Sequence, residues 1–170
     1  MDDTAGRRVR YSYLGQQIDD LWDTLKEFVK TGDFTIGKPL AEFERRFGKL
    51  DEVIARRRAN AALYHTQLDP AHVFMAAERE GEFNTYHTFV VQVERRGGLI
   101  AHLANKSIET AIHYPVPLRL QPAARCLGYK PGDFPMAEAQ TGRILSLPIH
   151  QFLSASDIRY VADAVNGFYR

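Results

Sequence analysis

Ile18, Leu21, Trp22, Leu25, Phe28 and Val29 recur every three or four positions. That repeat places side chains on one face of an α-helix and predicts a helix over residues 16–31. Gly32 supplies a natural stop, because glycine takes the left-handed conformation without penalty. Residues 33–38 read as a loop, and Pro39 suits the first turn of the next helix. There Leu40, Phe43, Phe47, Leu50 and Ile54 keep the spacing, and helical character continues through Ala61, Leu63, Tyr64 and Leu68. A helix of about thirty residues is long for a globular domain, and Gly48 lies inside it. The chain therefore either breaks at Gly48 or joins there two helices of separate origin.

After Pro70 the texture changes. Residues 72–76 read as a short strand. Residues 86–94 are rich in β-branched and aromatic side chains, and Phe89, Val91 and Val93 alternate as a buried face. Gly97 and Gly98 open a short helix carrying Leu99, Ile100 and Leu103. Residues 108–114 read as another strand, stopped by Pro115 and Pro117. Residues 118–134 are rich in proline and glycine and predict a loop with one helical turn near Ala123. Residues 136–144 predict a helix, followed by an extended piece through Leu147. Ser154 or Ser156 caps the last helix, whose apolar face is Ile158, Val161, Ala162, Val165 and Phe168. The fold class is α+β: a small, largely antiparallel sheet packed by helices, preceded by an N-terminal helical arm.

Composition narrows the function classes. In 170 residues, 22 Lys and Arg balance 21 Asp and Glu, so net charge suggests neither a nucleic acid nor a membrane partner. No apolar run approaches a membrane span. The polar first ten residues, with Arg7 and Arg8, do not resemble a signal peptide, which points to a cytoplasmic protein. Cys126 is the only cysteine and has no activating motif around it. The six histidines show no close-paired ligand spacing, so no metal site is expected. Arg56, Arg57 and Arg58 point about 100° apart on a helix and read as a solvated face rather than a nucleic-acid stripe.

The segment Phe34-Thr35-Ile36-Gly37-Lys38-Pro39-Leu40 resembles the N-terminal region of the DegT/StrS family of pyridoxal-phosphate-dependent sugar aminotransferases. Ile112-His113-Tyr114-Pro115-Val116-Pro117-Leu118 is similar to the signature of that family's small domain. So are Gln121-Pro122-Ala123, Leu127-Gly128-Tyr129, Phe134-Pro135-Met136-Ala137-Glu138 and the run from Ile144 to His150. Arg56-Arg57-Arg58-Ala59-Asn60-Ala61 resembles the helix that enters it. The order of these matches implies an N-terminal arm (residues 1–48) abutting a small C-terminal domain (residues 49–170) like that of fold-type I aminotransferases. The central cofactor-binding domain that separates them in the family is then missing.

Pyridoxal phosphate needs a Schiff-base lysine, an acidic partner for its ring nitrogen and a phosphate cradle. Lys26, Lys30, Lys38, Lys49, Lys106 and Lys130 are the lysines, and none stands in the family's context for the Schiff base. No cofactor and no catalytic residue are therefore expected for this chain alone. The resemblance places Thr35, Gly37, His113 and Tyr114 at the substrate region. The rival expectation is that Tyr114 packs in the core and His113 is merely exposed at a strand end. An apolar face left without its large domain predicts self-association, or association with a full-length homologue. Ile18, Leu21, Trp22, Leu25 and Phe28 are the expected face.

Overall fold

The computed structural model describes Val9, Arg45 and residues 48–170. The expected helix at 16–31, its apolar face and the loop bearing Thr35 and Gly37 lie outside the described residues. At Gly48 and Lys49 the chain makes a turn, and helix α1 (Leu50–Gln67) starts immediately after it. Of the two alternatives at Gly48, a break or a join of two helices, this turn fits the break.

The strands follow the alternation of their side chains. β1 (Val73–Met75), β2 (Phe89–Val93) and β3 (Ile144–Leu147) form one antiparallel sheet in the order β1-β2-β3. The register sets Val73 opposite Val93, Met75 opposite Val91, and Phe89 opposite Leu147. Because strand side chains alternate between faces, this pairing gathers Val73, Phe89, Val91, Val93, Leu145 and Leu147 on one buried face. The remaining helices are α2 (Arg96–Asn105), α3 (Pro135–Arg143) and α4 (Ala155–Tyr169).

Helices α1, α2 and α4 contribute Tyr64, Leu99, Leu103, Ile158, Val161 and Val165 to the core shared with that sheet face. Tyr64 stacks on Phe89 with ring centroids 4.8 Å apart. Ser154 caps α4 in a reciprocal box: its hydroxyl accepts the Asp157 amide, and the Asp157 carboxylate accepts the Ser154 amide. Asn166 ties α4 to the end of α1, donating to the Gln67 carbonyl at 2.8 Å and accepting the Asp69 amide at 3.0 Å. Such bonds satisfy backbone groups that a helix end leaves open. Helix α3 lies on the outer face of the sheet, where Met136 and Gln140 share a groove with Phe74 and Gln92.

Two expectations need correction. Residues 108–114 do not form a strand. They make two isolated bridges, a parallel one from Ile108 to Val9 and an antiparallel one from Ala111 to Ser146. The first is closed by Val9 N–H to the Ser107 carbonyl at 2.9 Å and Glu109 N–H to the Val9 carbonyl at 2.8 Å. Extended side-chain preference alone makes no ladder when each neighbour offers a single pairing position. The arginine run is also more than a solvated face. Arg57 donates to the His87 carbonyl at 3.2 Å. Arg58 pairs with Glu78 at 2.9 Å and donates to the Asn84 carbonyl at 2.7 Å. Both thereby fasten the β1–β2 connection to α1.

Candidate functional site

Ser146 organises the site. It lies opposite Val90, on the sheet face away from the core, and is nonetheless buried. Residues 108–113 run beside it. The Ser146 amide donates to the Ala111 carbonyl at 2.8 Å, and the Ala111 amide donates to the Ser146 carbonyl at 3.2 Å. That pairing brings His113 Nδ1 to 2.8 Å from the Ser146 hydroxyl. The imidazole is thus oriented from beneath, and its ring is half-buried.

The next residue turns sharply outward. Tyr114 takes a left-handed conformation, φ 60°, and its side chain is 80% exposed. A bulky residue at positive φ is disfavoured by contact between Cβ and the backbone. The rival expectation for this pair is therefore reversed: His113 is held in the structure, and Tyr114 stands in solvent. Thr35 and Gly37 lie outside the described residues, so the structure brings together only His113 and Tyr114 of the four expected positions.

Beyond Tyr114 the chain passes through 3-10 turns at Leu118–Leu120 and Pro122–Leu127. With α3 these enclose an open groove of about 520 Å3 with His113 and Tyr114 among its lining residues. Its walls are largely apolar, from Val116, Leu118, Leu127, Phe134 and Ile144. Arg119 enters the same groove with only 9% of its side chain exposed. Its guanidinium lies over the Phe134 ring, 4.6 Å from the centroid, and is paired through Nη2 with Glu138 in the first turn of α3. The Glu138 carboxylate also accepts the Gly132 amide, at 2.8 and 3.0 Å to its two oxygens.

Sequence reasoning missed Ser146, Arg119 and Glu138. A serine inside the apolar run Ile144-Leu145-Ser146-Leu147 was a usable signal. Arg119 and Glu138 are nineteen positions apart, and neither has a local pattern that announces the other.

Residues 45–166 match the profile of the DegT/DnrJ/EryC1/StrS aminotransferase family. The chain belongs to this family. It is 35% identical over 128 residues to the pleiotropic regulatory protein of Geobacillus stearothermophilus, a match covering 74% of this chain and 34% of that protein. It is 41% identical over 106 residues to the erythromycin biosynthesis sensory transduction protein EryC1 of Saccharopolyspora erythraea, covering 62% of this chain and 29% of that one. The structure of S. venezuelae DesV in complex with a ketimine intermediate superposes with a TM-score of 0.71 at 34% identity. That match covers 75% of this chain and 35% of DesV. The chain therefore spans about a third of the length of these family members, and its α+β fold is shared with fold-type I aminotransferases.

The described residues do not fit the family's cofactor. Lys49, Lys106 and Lys130 are exposed, and none lines the groove beside His113. An enclosed amine is what a Schiff base to pyridoxal phosphate requires. No helix among the described residues is long and apolar enough to cross a membrane. Among them no group of His, Cys, Asp and Glu is arranged to hold a metal ion.

Proposed function

We propose that this chain is a partial sugar aminotransferase that does not transaminate by itself, and that its parent reaction is pyridoxal-phosphate-dependent amination of a keto-sugar nucleotide. The observation that carries the reading is the family match over residues 45–166, set beside the absence of any lysine in the family's Schiff-base context. The sugar class rests on similarity to proteins such as the dTDP-3-amino-3,4,6-trideoxy-alpha-D-glucose transaminase of Streptomyces venezuelae, 36% identical over 122 residues. In this reading His113 and Tyr114, with Thr35 and Gly37, form the wall of a sugar subsite that other parts of an aminotransferase complete. The location is cytoplasmic.

A second reading is a binding module that joins a second copy, a full-length homologue or a separate polypeptide carrying the cofactor domain. Tyr114, Leu118, Leu127 and Met136, all more than half exposed, favour it, because apolar surface of this kind is usually covered.

The deciding experiment is incubation of the purified chain with pyridoxal phosphate, borohydride reduction and mapping of modified lysines by mass spectrometry. The expected result is no labelling, or weak labelling spread over several lysines. Stoichiometric modification of one lysine would overturn the proposal and restore an independent enzyme.

A further inference from the structure

Ser146 is only 1% exposed, so its hydroxyl has to be satisfied inside the protein. A buried O–H left without an acceptor costs the desolvation of that group. Among the described residues, the partner of Ser146 Oγ is His113 Nδ1, at 2.8 Å. The path of the chain builds this contact in. Ala111 and Ser146 exchange backbone hydrogen bonds at 2.8 and 3.2 Å, and His113 follows two residues later.

The direction of the bond follows from what each group can spare. A neutral imidazole has one N–H and one acceptor nitrogen, and a hydroxyl has one hydrogen and two lone pairs. With the ring proton on Nδ1, the serine oxygen would accept, and its own buried hydrogen would have no acceptor among the described residues. With the hydroxyl donating to Nδ1, no buried donor is left over, and the ring carries its proton on Nε2. A serine–histidine contact is also how a nucleophilic serine is activated, but burial shuts Ser146 away from any substrate. It does not line the groove, whereas His113 does. Ser146 therefore acts through the histidine.

We infer that Ser146 is a positioning residue that fixes neutral His113 as the Nε2–H tautomer, so that His113 serves the subsite as an N–H donor to an oxygen acceptor and not as a base. Nδ1 is taken by the serine hydroxyl, and Nε2 already bears the proton that a base would have to accept. The part played by the donor rests on the reading of His113 as the wall of a sugar subsite. The tautomer itself does not, because it is fixed by Ser146 with the groove empty.

The test is nitrogen NMR of the imidazole rings in the isotopically labelled full chain, without ligand, at about pH 8.5, where an ordinary histidine is neutral. Correlations from the ring carbon-bound protons identify which nitrogen bears the hydrogen. His87, whose side chain is exposed, gives the reference for tautomers that interconvert freely. His113 should show Nε2 as the protonated nitrogen and Nδ1 as a hydrogen-bonded acceptor, with no averaging between them. In Ser146→Ala the tautomer ratio should fall by about fivefold, the worth of one ordinary hydrogen bond, moving the His113 signals towards those of His87. Ser146→Thr, which keeps a hydroxyl, should retain the original pattern.

A protonated Nδ1, or signals averaged like those of His87, would overturn the inference. So would a folded Ser146→Ala chain with the tautomer unchanged. A Ser146→Ala chain that does not fold leaves the decision to the unaltered chain, where reversed or averaged nitrogens overturn it. Failure of the aminotransferase reading is told apart by the borohydride experiment: one stoichiometrically modified lysine beside an intact Nε2–H tautomer would sink that reading and keep this one.

Discussion

The Tyr64 hydroxyl donates to the Pro148 carbonyl at 2.9 Å, a buried bond between residues 84 positions apart. It locks the last turn of α1 to the end of β3, and with them the strand that carries Ser146. Tyr64→Phe keeps the ring against Phe89 but leaves the buried Pro148 carbonyl without its donor. The expected loss is about 1–3 kcal/mol, measured by urea denaturation. Burial also pushes the Tyr64 phenol well above the usual tyrosine range. In the unfolded chain the phenol ionises near pH ~10. Above that pH the unfolded state loses a proton that the native state keeps, so stability falls as pH rises. Tyr64→Phe should flatten this alkaline decline.

The Arg58–Glu78 pair predicts an acid response of the opposite sign. The hydrogen bond from Arg58, followed by that from the Asn84 amide, holds the Glu78 carboxyl below its ordinary range. Its contribution is present above about pH 4.3, the unfolded carboxyl's value, and is lost as pH falls through the lower folded value. Both groups are accessible to solvent, so salt should weaken the effect. Hydrogen exchange of residues 76–87 should accelerate in acid before the core opens. In Glu78→Gln that acid-dependent step should disappear.

Tyr114 stores backbone strain at an exposed position. Tyr114→Asn allows the same left-handed conformation at lower cost and gives up little burial. A gain of up to about 1 kcal/mol is expected, read as a higher melting temperature. A lower melting temperature would show that the Tyr114 ring makes stabilising contacts outweighing its backbone cost.

Gly97 and Gly98 occupy the first turn of α2 but should respond differently. A Cβ at Gly97 meets nothing within 4 Å, whereas one at Gly98 would lie 3.1 Å from Phe168 Cζ. Gly97→Ala should stabilise by about 0.5–1 kcal/mol, the ordinary helix preference for alanine. Gly98→Ala should gain less, because the Phe168 ring must move. Thermal melts of the two variants side by side would separate these effects.

Much of the fold was legible because its signals are local. Phe89, Val91 and Val93 alternate as a strand face must. Ile158, Val161, Ala162 and Val165 recur as a helix face must, and Ser154 and Asp157 sit at capping spacing. Gly48 marked the break before α1, and the family's small domain was recognisable in the residues around His113 and Glu138. Residues 108–114 misled because alternating Ile108, Thr110 and Ile112 suit a strand, while pairing depends on what lies alongside.

The sequence by itself determined most of the elements, their buried faces and the family, since each depends on the order and spacing of nearby residues. Only the tertiary structure decided the site. Ser146 reaches His113 across 33 positions, Arg119 meets Glu138 across 19, and Arg58 meets Glu78 across 20. Hydrogen bonds and charge pairs act over a few ångströms of space. Which groups come that close is settled by how the helices close over the sheet, and no local periodicity records it.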